Sequence, residues 1–342
     1  MTEKYIFYVT FASGLEKPVK RLLYSNLKKI LVLNILDGAI IFEYHTIEKV
    51  TKLKFLNNIF IVLSILENNS TNSLKQITKS LLKNVNKKFN FKFQQNTFKV
   101  LYLNENKLSI MPEEVRDIVS KFIIKNFYLY SEKSSQNFEE FLILKRSEGF
   151  YLFIYKITKK IKVKLFKGEL RPEVAHTIIS ISNPNKNDIF LDPFAGYGGI
   201  AAQRAKLPFK QLHISDINPK LCNIINDRLK YIILNKSSDI KIQCSNFLVS
   251  KLPHNSFTKI VTDPPWGLFK TIPNIKEFYL KVLQKVFLAL KKDGIIILVV
   301  SRDLNIYEIL SYSNIPLEIL EKFEILLSGK KASIYKLKKS TD

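Results

Sequence analysis

The stretch Thr262-Asp263-Pro264-Pro265-Trp266-Gly267 restricts the fold more than any other part of the chain. Lys259-Ile260-Val261-Thr262 before it reads as a short buried strand. Two prolines end that strand, since neither has an N–H for a ladder and each fixes φ, so Asp263 is presented at the strand's carboxyl end. In an open α/β sheet, ligands bind at that edge. The proline turn leaves carbonyls free as acceptors, and Trp266 sets a flat apolar face beside them. Two acceptors and a stacking plane suit a planar base with an exocyclic amino group. One hydrogen would go to the Asp263 side chain and the other to the Pro264 carbonyl, with Trp266 against the ring. The structural alternative is a plain proline-rich turn.

A second stretch carries the other half of a site. Ile189-Phe190-Leu191 is a hydrophobic strand that runs into Asp192-Pro193-Phe194-Ala195-Gly196-Tyr197-Gly198-Gly199, followed by a helix from Ile200 to Ala205. A glycine-rich turn between strand and helix lets the backbone approach a ligand where a side chain would collide. Nicotinamide-dinucleotide proteins use such a turn to seat a pyrophosphate on a helix N-terminus. Here Asp192 sits at the strand end, where a carboxylate repels a pyrophosphate and attracts the ammonium and sulfonium of S-adenosylmethionine (SAM). The next strand, Gln211 to Ser215, ends in Asp216, 20 positions after Gly196, a placement that suits a carboxylate bridging two ribose hydroxyls. An N-cap for the helix that begins at Pro219 is the plainer reading of Asp216.

At 342 residues the chain is too long for one ordinary core and suits two or three domains. The formal charge of +24 is spread evenly, 26 basic against 14 acidic residues in 1–160 and 28 against 16 in the remainder. A charge of that size raises the local concentration of polyanions and speeds their capture, which points to a nucleic-acid partner. The two cysteines, Cys222 and Cys244, stand in separate elements without a CxxC, and the four histidines are scattered. A disulfide framework and a metal site are therefore not expected, and a reducing cytoplasm fits. The longest apolar run, around Ile295 to Val300, is far too short to span a bilayer, and no signal sequence opens the chain.

In the N-terminal half, Tyr5 to Phe11 reads as a strand, a helix follows Ser13-Gly14, and strands at Ile30–Ile35 and Ala39–Tyr44 flank the hairpin signal Asp37-Gly38. A helix over Val50 to Leu56 and a strand near Ile59 to Leu66 complete a β-α-β-β-α-β order, which is ferredoxin-like. Past the polar connector Glu67 to Asn72, residues 73–90 read as a helix carrying Lys75, Lys79, Lys83, Lys87 and Lys88. That lysine row is either a solvated helix face or a phosphate-contacting one. Thr97 to Leu103 reads as a strand, Pro112 to Phe127 as a helix, and Phe141–Lys145 with Phe150–Ile157 as a hairpin around Glu148-Gly149.

The motif Asp263-Pro264-Pro265-Trp266 resembles the Asp/Asn-Pro-Pro-aromatic motif of SAM-dependent amino-methyltransferases, which methylate exocyclic nitrogens of adenine, cytosine or guanine. LDPFAGYGG, SDIN and TDPPWG occur in the order of a class I SAM methyltransferase across residues 164–342, ending in a hairpin around Ser328-Gly329-Lys330. The front half resembles that of the THUMP-domain RNA methyltransferases. This resemblance implies a ferredoxin-like domain over 1–66, a THUMP-like RNA-binding domain over 73–160 and a methyltransferase domain over 164–342. The fold class it implies is α/β, a Rossmann-like seven-stranded sheet with a terminal antiparallel hairpin behind an α+β N-terminal half.

The same resemblance implies SAM as cofactor, with Asp192, Pro193, Phe194, Ala195, Gly196, Gly198 and Asp216 binding it. Arg171 stands in the segment Lys164 to Glu173, which resembles the one that in this family leads into the catalytic domain and folds over the cofactor; it is a candidate carboxylate anchor or a solvent-exposed charge. Asn246 stands where family members generally carry an acidic residue for the adenine amino group. Its amide oxygen accepts the same bond more weakly. The implied substrate is RNA, most directly guanine N2 in tRNA, with Asp263, Pro264, Pro265 and Trp266 at the reacting amine. Adenine-N6 methylation of DNA or RNA is the alternative, since the motif usually ends in Tyr, Phe or His and a Trp is also familiar among adenine enzymes. An RNA-binding protein with an inactive methyltransferase domain is the alternative of another class. A partner subunit is left open.

Overall fold

The computed structural model describes residues 4–67, 72–85, 92–105, 107–131, 137–158, 165–235, 239–268, 271–327 and 329–340. The chain divides into two compact units, one of Met1–Thr10 with Leu23–Ile161, the other of Phe11–Leu22 with Lys162–Asp342.

The first unit is built on β1 (Tyr5–Thr10), β2 (Leu31–Leu36), β3 (Ala39–Tyr44) and β4 (Asn58–Glu67), with α2 (Ile47–Thr51) between β3 and β4; most of α1 (Glu16–Asn26), which follows β1 in sequence, groups with the second unit. Next come α3 (Leu74–Lys83), β5 (Thr97–Asn104), β6 (Lys107–Ser109), α4 (Glu113–Phe127), β7 (Tyr130–Ser131), β8 (Glu139–Lys145) and β9 (Phe150–Lys156). The first four strands lie in the order β2-β3-β1-β4, the ferredoxin-like order, and Gly38 turns the β2–β3 hairpin at a φ of 65°. The sheet does not stop there. Ile61 to Glu67 of β4 pair with Tyr155 to Phe150 of β9, so the segments expected as separate domains, 1–66 and 73–160, share one nine-stranded sheet. An apolar edge such as Phe60-Ile61-Val62 demands a partner, and β9 supplies it.

Two further differences from the sequence reading have physical causes. Helix α2 spans Ile47–Thr51 rather than 50–56; Leu53, Phe55 and Leu56 are buried from the turn that follows it. Apolar spacing alone does not tell a buried turn from a helix. Strands β6 and β7, of three and two residues, are too short to show a period. Helix α3 begins with a reciprocal capping box, in which Ser73 Oγ accepts from Gln76 N–H and Gln76 Oε1 accepts from Ser73 N–H at 3.0 Å. Of its lysine row, Lys75 pairs with Glu114 at 2.7 Å, Lys79 and Lys83 are exposed, and Lys87 and Lys88 lie outside the described residues.

The second unit contains α5 (Pro172–Ile181), β10 (Ile189–Asp192), α6 (Gly199–Arg204), β11 (Gln211–Asp216), α7 (Pro219–Asn235), β12 (Ile240–Cys244) and β13 (Phe257–Thr262). It ends with α8 (Ile275–Ala289), β14 (Leu290–Ser301), α9 (Ile306–Ser313), β15 (Leu317–Leu327) and β16 (Lys330–Lys339). Its seven strands run β12-β11-β10-β13-β14-β16-β15, the first five parallel and the last pair antiparallel, which is the class I methyltransferase arrangement expected from the motif order. Phe11–Leu22 packs with this unit: a Cβ added at Gly14 would fall 1.8 Å from the Glu324 carbonyl oxygen. Beneath the sheet, Arg204 is fully buried against Asp188 at 2.9 Å and donates also to the Pro208 carbonyl, so its charge is matched inside the core.

The chain leaves β10 for β11 and β12 on one side, then returns to β13 and β14 on the other. This reversal opens a crevice at the carboxyl ends of β10 and β13, where an open α/β sheet places its ligands. Leu191 lies opposite Ile260 in the parallel register, so Asp192 and Asp263 end neighbouring strands.

Candidate active site

The turn after β10 is pinned by backbone bonds. Ala195 N–H donates to the Ser215 carbonyl at 3.0 Å, and Gly198 N–H to the Ala195 carbonyl at 2.7 Å. The Pro193 carbonyl accepts from Ser215 Oγ at 3.3 Å. The Asp216 carboxylate holds two backbone donors, Gly196 N–H on Oδ2 at 2.9 Å and Asn218 N–H on Oδ1 at 2.8 Å. Asn218, not Asp216, accepts from Lys220 N–H at 3.0 Å and opens α7. Asp216 thus ties the glycine turn to the end of β11, and each of its oxygens keeps a lone pair for a further donor. The two positive-φ glycines serve different ends. A Cβ at Gly198 would meet Ile225 Cγ1 of α7 at 3.1 Å, whereas one at Gly196, φ +53°, meets nothing within 4 Å. Gly196 borders open space at the sheet edge.

Asp192 is fully buried, and among the described residues neither of its oxygens has a well-formed hydrogen bond. Burial pushes its carboxyl up to about 8; the nearby Thr262 hydroxyl and Phe194 N–H draw it down, and the Asp263 and Asp216 charges add to the rise. Burial thus favours its neutral form, and a cation within reach favours the charged one.

The proline corner after β13 is held from two sides. Trp266 Nε1–H donates to Asp263 Oδ1 at 2.8 Å. Oδ2 has no partner among the described residues and remains an open acceptor. Burial raises the Asp263 carboxyl to about 7, against the Trp266 bond, which lowers it. From α8 below, Tyr279 OH donates to the carbonyls of Pro264 at 3.3 Å and Pro265 at 3.4 Å. Beside the aromatic plane that the sequence offers at Trp266, its indole N–H orients the carboxylate.

Other candidates fall around these two loops. Phe194 packs edge-on against Phe247 and Phe278, with ring centroids 5.3 and 5.9 Å away. Asn246 is exposed, and its Oδ1 accepts from Leu248 N–H at 3.0 Å, which uses one acceptor site locally. Arg171 Nε pairs with Glu173 at 2.9 Å at the head of α5. Four residues went unnoticed in the sequence. Phe166 stacks on Tyr197 of the glycine turn at 4.3 Å, Arg228 lies over the Phe166 ring, and Arg228 grips Glu169 through its two terminal guanidinium nitrogens. Tyr279 is the fourth. Its signal was legible: a hydroxyl within the apolar stripe Tyr279, Val282, Leu283 and Val286 must find an acceptor once buried.

Among the described residues no group of three or more His, Cys, Asp or Glu side chains is placed to hold a metal ion, and no helix is long and apolar enough to cross a membrane.

Comparison with known proteins gives consistent matches. A probable tRNA (guanine(10)-N2)-dimethyltransferase of Methanothermococcus thermolithotrophicus is 28% identical over 179 residues, 50% of this chain and 99% of that one. A tRNA (guanine(10)-N2)-dimethyltransferase of Pyrococcus abyssi is 26% identical over 123 residues, 36% of either chain. The crystal structure of TrmN from Thermus thermophilus shares the fold with a TM-score of 0.77 at 15% identity, over 98% of this chain and 99% of that one. Residues 159–330, half of the chain, match the family described as UPF0020, RMKL-like, methyltransferase domain, and the chain belongs to that family.

Proposed function

We propose that the protein is a SAM-dependent RNA methyltransferase acting on an exocyclic base amine, guanine N2 of tRNA. The observation that carries this reading is the placing of two features on neighbouring strand ends: the open space at Gly196 and the acceptor corner of Asp263 and Pro264. The tRNA-modifying relatives, both directed at guanine N2, support the choice of substrate. The net charge of +24 and the exposed Lys79 and Lys83 support a role in RNA capture for the first unit, including a THUMP-like part over 73–160.

The residues present fit SAM. Asp192 offers two buried oxygens in want of donors, Asp216 has spare lone pairs for ribose hydroxyls, and Gly196 leaves the room that a side chain would take. When bound, SAM supplies a methyl group already activated on a positively charged sulfur. The chain's own task is then to present the amine. Asp263 Oδ2 and the Pro264 carbonyl each accept one N–H hydrogen, which favours a more tetrahedral nitrogen with its lone pair directed out of the ring. Trp266 keeps Oδ1 occupied, so the carboxylate presents a single oxygen in a fixed direction. The nitrogen becomes strongly acidic on alkylation and loses its proton to Asp263 Oδ2 or to water, so no separate base is required. A paired target base would have to leave its stack to reach the corner.

The test is incubation with labelled SAM and total tRNA, followed by nucleoside analysis. Label in N2-methylated guanosine is the expected result. Label in N6-methyladenosine, or none, would reject the reading. Gly196→Asn checks the cofactor cradle: asparagine is among the side chains best tolerated at a positive φ, so the variant folds at a modest cost. Its SAM affinity, measured by calorimetry, falls at least about tenfold because the added side chain fills the cofactor's space.

A further inference from the structure

Tyr279 is the buried polar group that the catalytic argument has not used. It lies in the middle of α8, almost wholly inaccessible, among Val282, Leu283 and Ile260. Burial first, and the neighbouring Asp263 charge second, raise its phenol well above the ordinary value, so it is a permanent O–H donor. That proton faces two carbonyls, Pro264 at 3.3 Å and Pro265 at 3.4 Å. Neither contact is short, and the hydroxyl is shared between them. Neither proline has an N–H of its own to tie this turn to a ladder, so the phenol is the described side chain that fixes where these carbonyls point.

We propose that Tyr279 is a positioning residue for the acceptor amine: it holds the Pro264 carbonyl in the direction that receives the second N–H hydrogen. The sharing between two carbonyls matters. The Pro264 oxygen has two lone pairs: the phenol, lying between the two carbonyls, occupies one side of it and leaves the other for the amine, so the corner keeps its shape when the substrate binds. Together with the Trp266 bond to Asp263, the arrangement leaves one free lone-pair direction at each of two acceptors, matched to the two hydrogens of one primary amine. This inference rests on the amino-methyltransfer reading above.

The test is Tyr279→Phe, which removes one oxygen and keeps the ring. Sites are counted by SAM titration, so that kcat is expressed per intact site. We expect kcat to fall about tenfold, the worth of one orienting hydrogen bond, with KM for tRNA and for SAM unchanged. Trp266 is the chain's single tryptophan, and its emission will shift in the variant because the corner it belongs to has lost an anchor. Val282→Ala, on the same buried face of α8, is the packing control: it lowers the thermal midpoint while kcat per SAM-binding site and Trp266 emission hold. Wild-type kcat in Tyr279→Phe, or a loss that appears in KM and thermal midpoint alone, overturns the positioning role. If the wild-type protein labels no tRNA amine, the underlying reading fails with it; if it labels tRNA and Tyr279→Phe matches it, only the positioning role fails.

Discussion

Asp263→Asn will lower methyl transfer by about a thousandfold, on the scale of removing a preorganised polar group at a reacting centre, while SAM and RNA binding stay in place. The change is isosteric. The asparagine oxygen still accepts from Trp266 Nε1–H, where Asp263 Oδ1 now does at 2.8 Å. That choice turns the amide NH2 to the position of Oδ2, so the substrate's N–H meets another donor instead of an acceptor. Rotating the amide to repair this would set the NH2 against the indole N–H. Either way one bond is lost and one repulsion gained, and the buried surroundings of the site make both costly. Asp263→Ala, which leaves Trp266 without its acceptor, loses transfer as completely. Single-turnover rates at saturating SAM and tRNA are the measure. A rate near that of the wild type in either variant would remove Asp263 from the reaction.

How much of this was readable beforehand differs between the two units, for a physical reason. In the second unit the central strands β10, β11 and β13 are largely buried and stop at a chemically marked residue: Asp192, Asp216 and the prolines after Asp263. Strand, turn and helix therefore follow one another with sharp boundaries, and the sheet order is recovered from the order of motifs. The first unit lacks such marks. That β4 carries β9 on its second edge is set by two apolar strands meeting some ninety residues apart, a long-range choice that local pattern does not encode. The grouping of Phe11–Leu22 with the second unit is of the same kind. Gly14 marks a close approach to the Glu324 backbone, yet a lone glycine before a helix reads as a turn.

At the site itself, residue types were legible and their bonds were not. Asp216 stood out by its spacing, but two of its lone pairs serve Gly196 and Asn218, so it shapes the turn as well as facing the crevice. Trp266 is legible as an aromatic plane, whereas the bond from its N–H to Asp263 is not. Asp192 reads in the sequence as a charge, and depth of burial, which sequence position does not give, raises its carboxyl. Tyr279 needed the third dimension altogether: it acts on residues fourteen and fifteen positions earlier, across the turn between β13 and α8.

The titration of Asp263 gives the second large effect, and it is visible in two independent signals. To accept the amine's hydrogen, Asp263 must be ionised, and burial holds its carboxyl up near 7 against the pull of the Trp266 N–H. The ionised fraction is therefore lost as pH falls through about 7, and kcat at pH 5 should be roughly a hundredfold below its plateau, one decade per unit. Asp192, with its carboxyl at about 8, carries little charge over that range, and its own ionisation opposes that of Asp263; the two titrate as a pair. Trp266→Phe keeps a plane but removes the donor that favours the ionised form, so its acidic limb moves to higher pH. Trp266, the single tryptophan, reports the same event without substrate: its emission will follow a transition centred near 7, and Asp263→Asn will abolish it. An activity profile flat from pH 5 to 8 would mean that the carboxylate facing the amine is charged throughout, an emission change that survives in Asp263→Asn would mean that another group titrates, and either would show that the half-buried corner exerts no control over when the enzyme can accept its substrate.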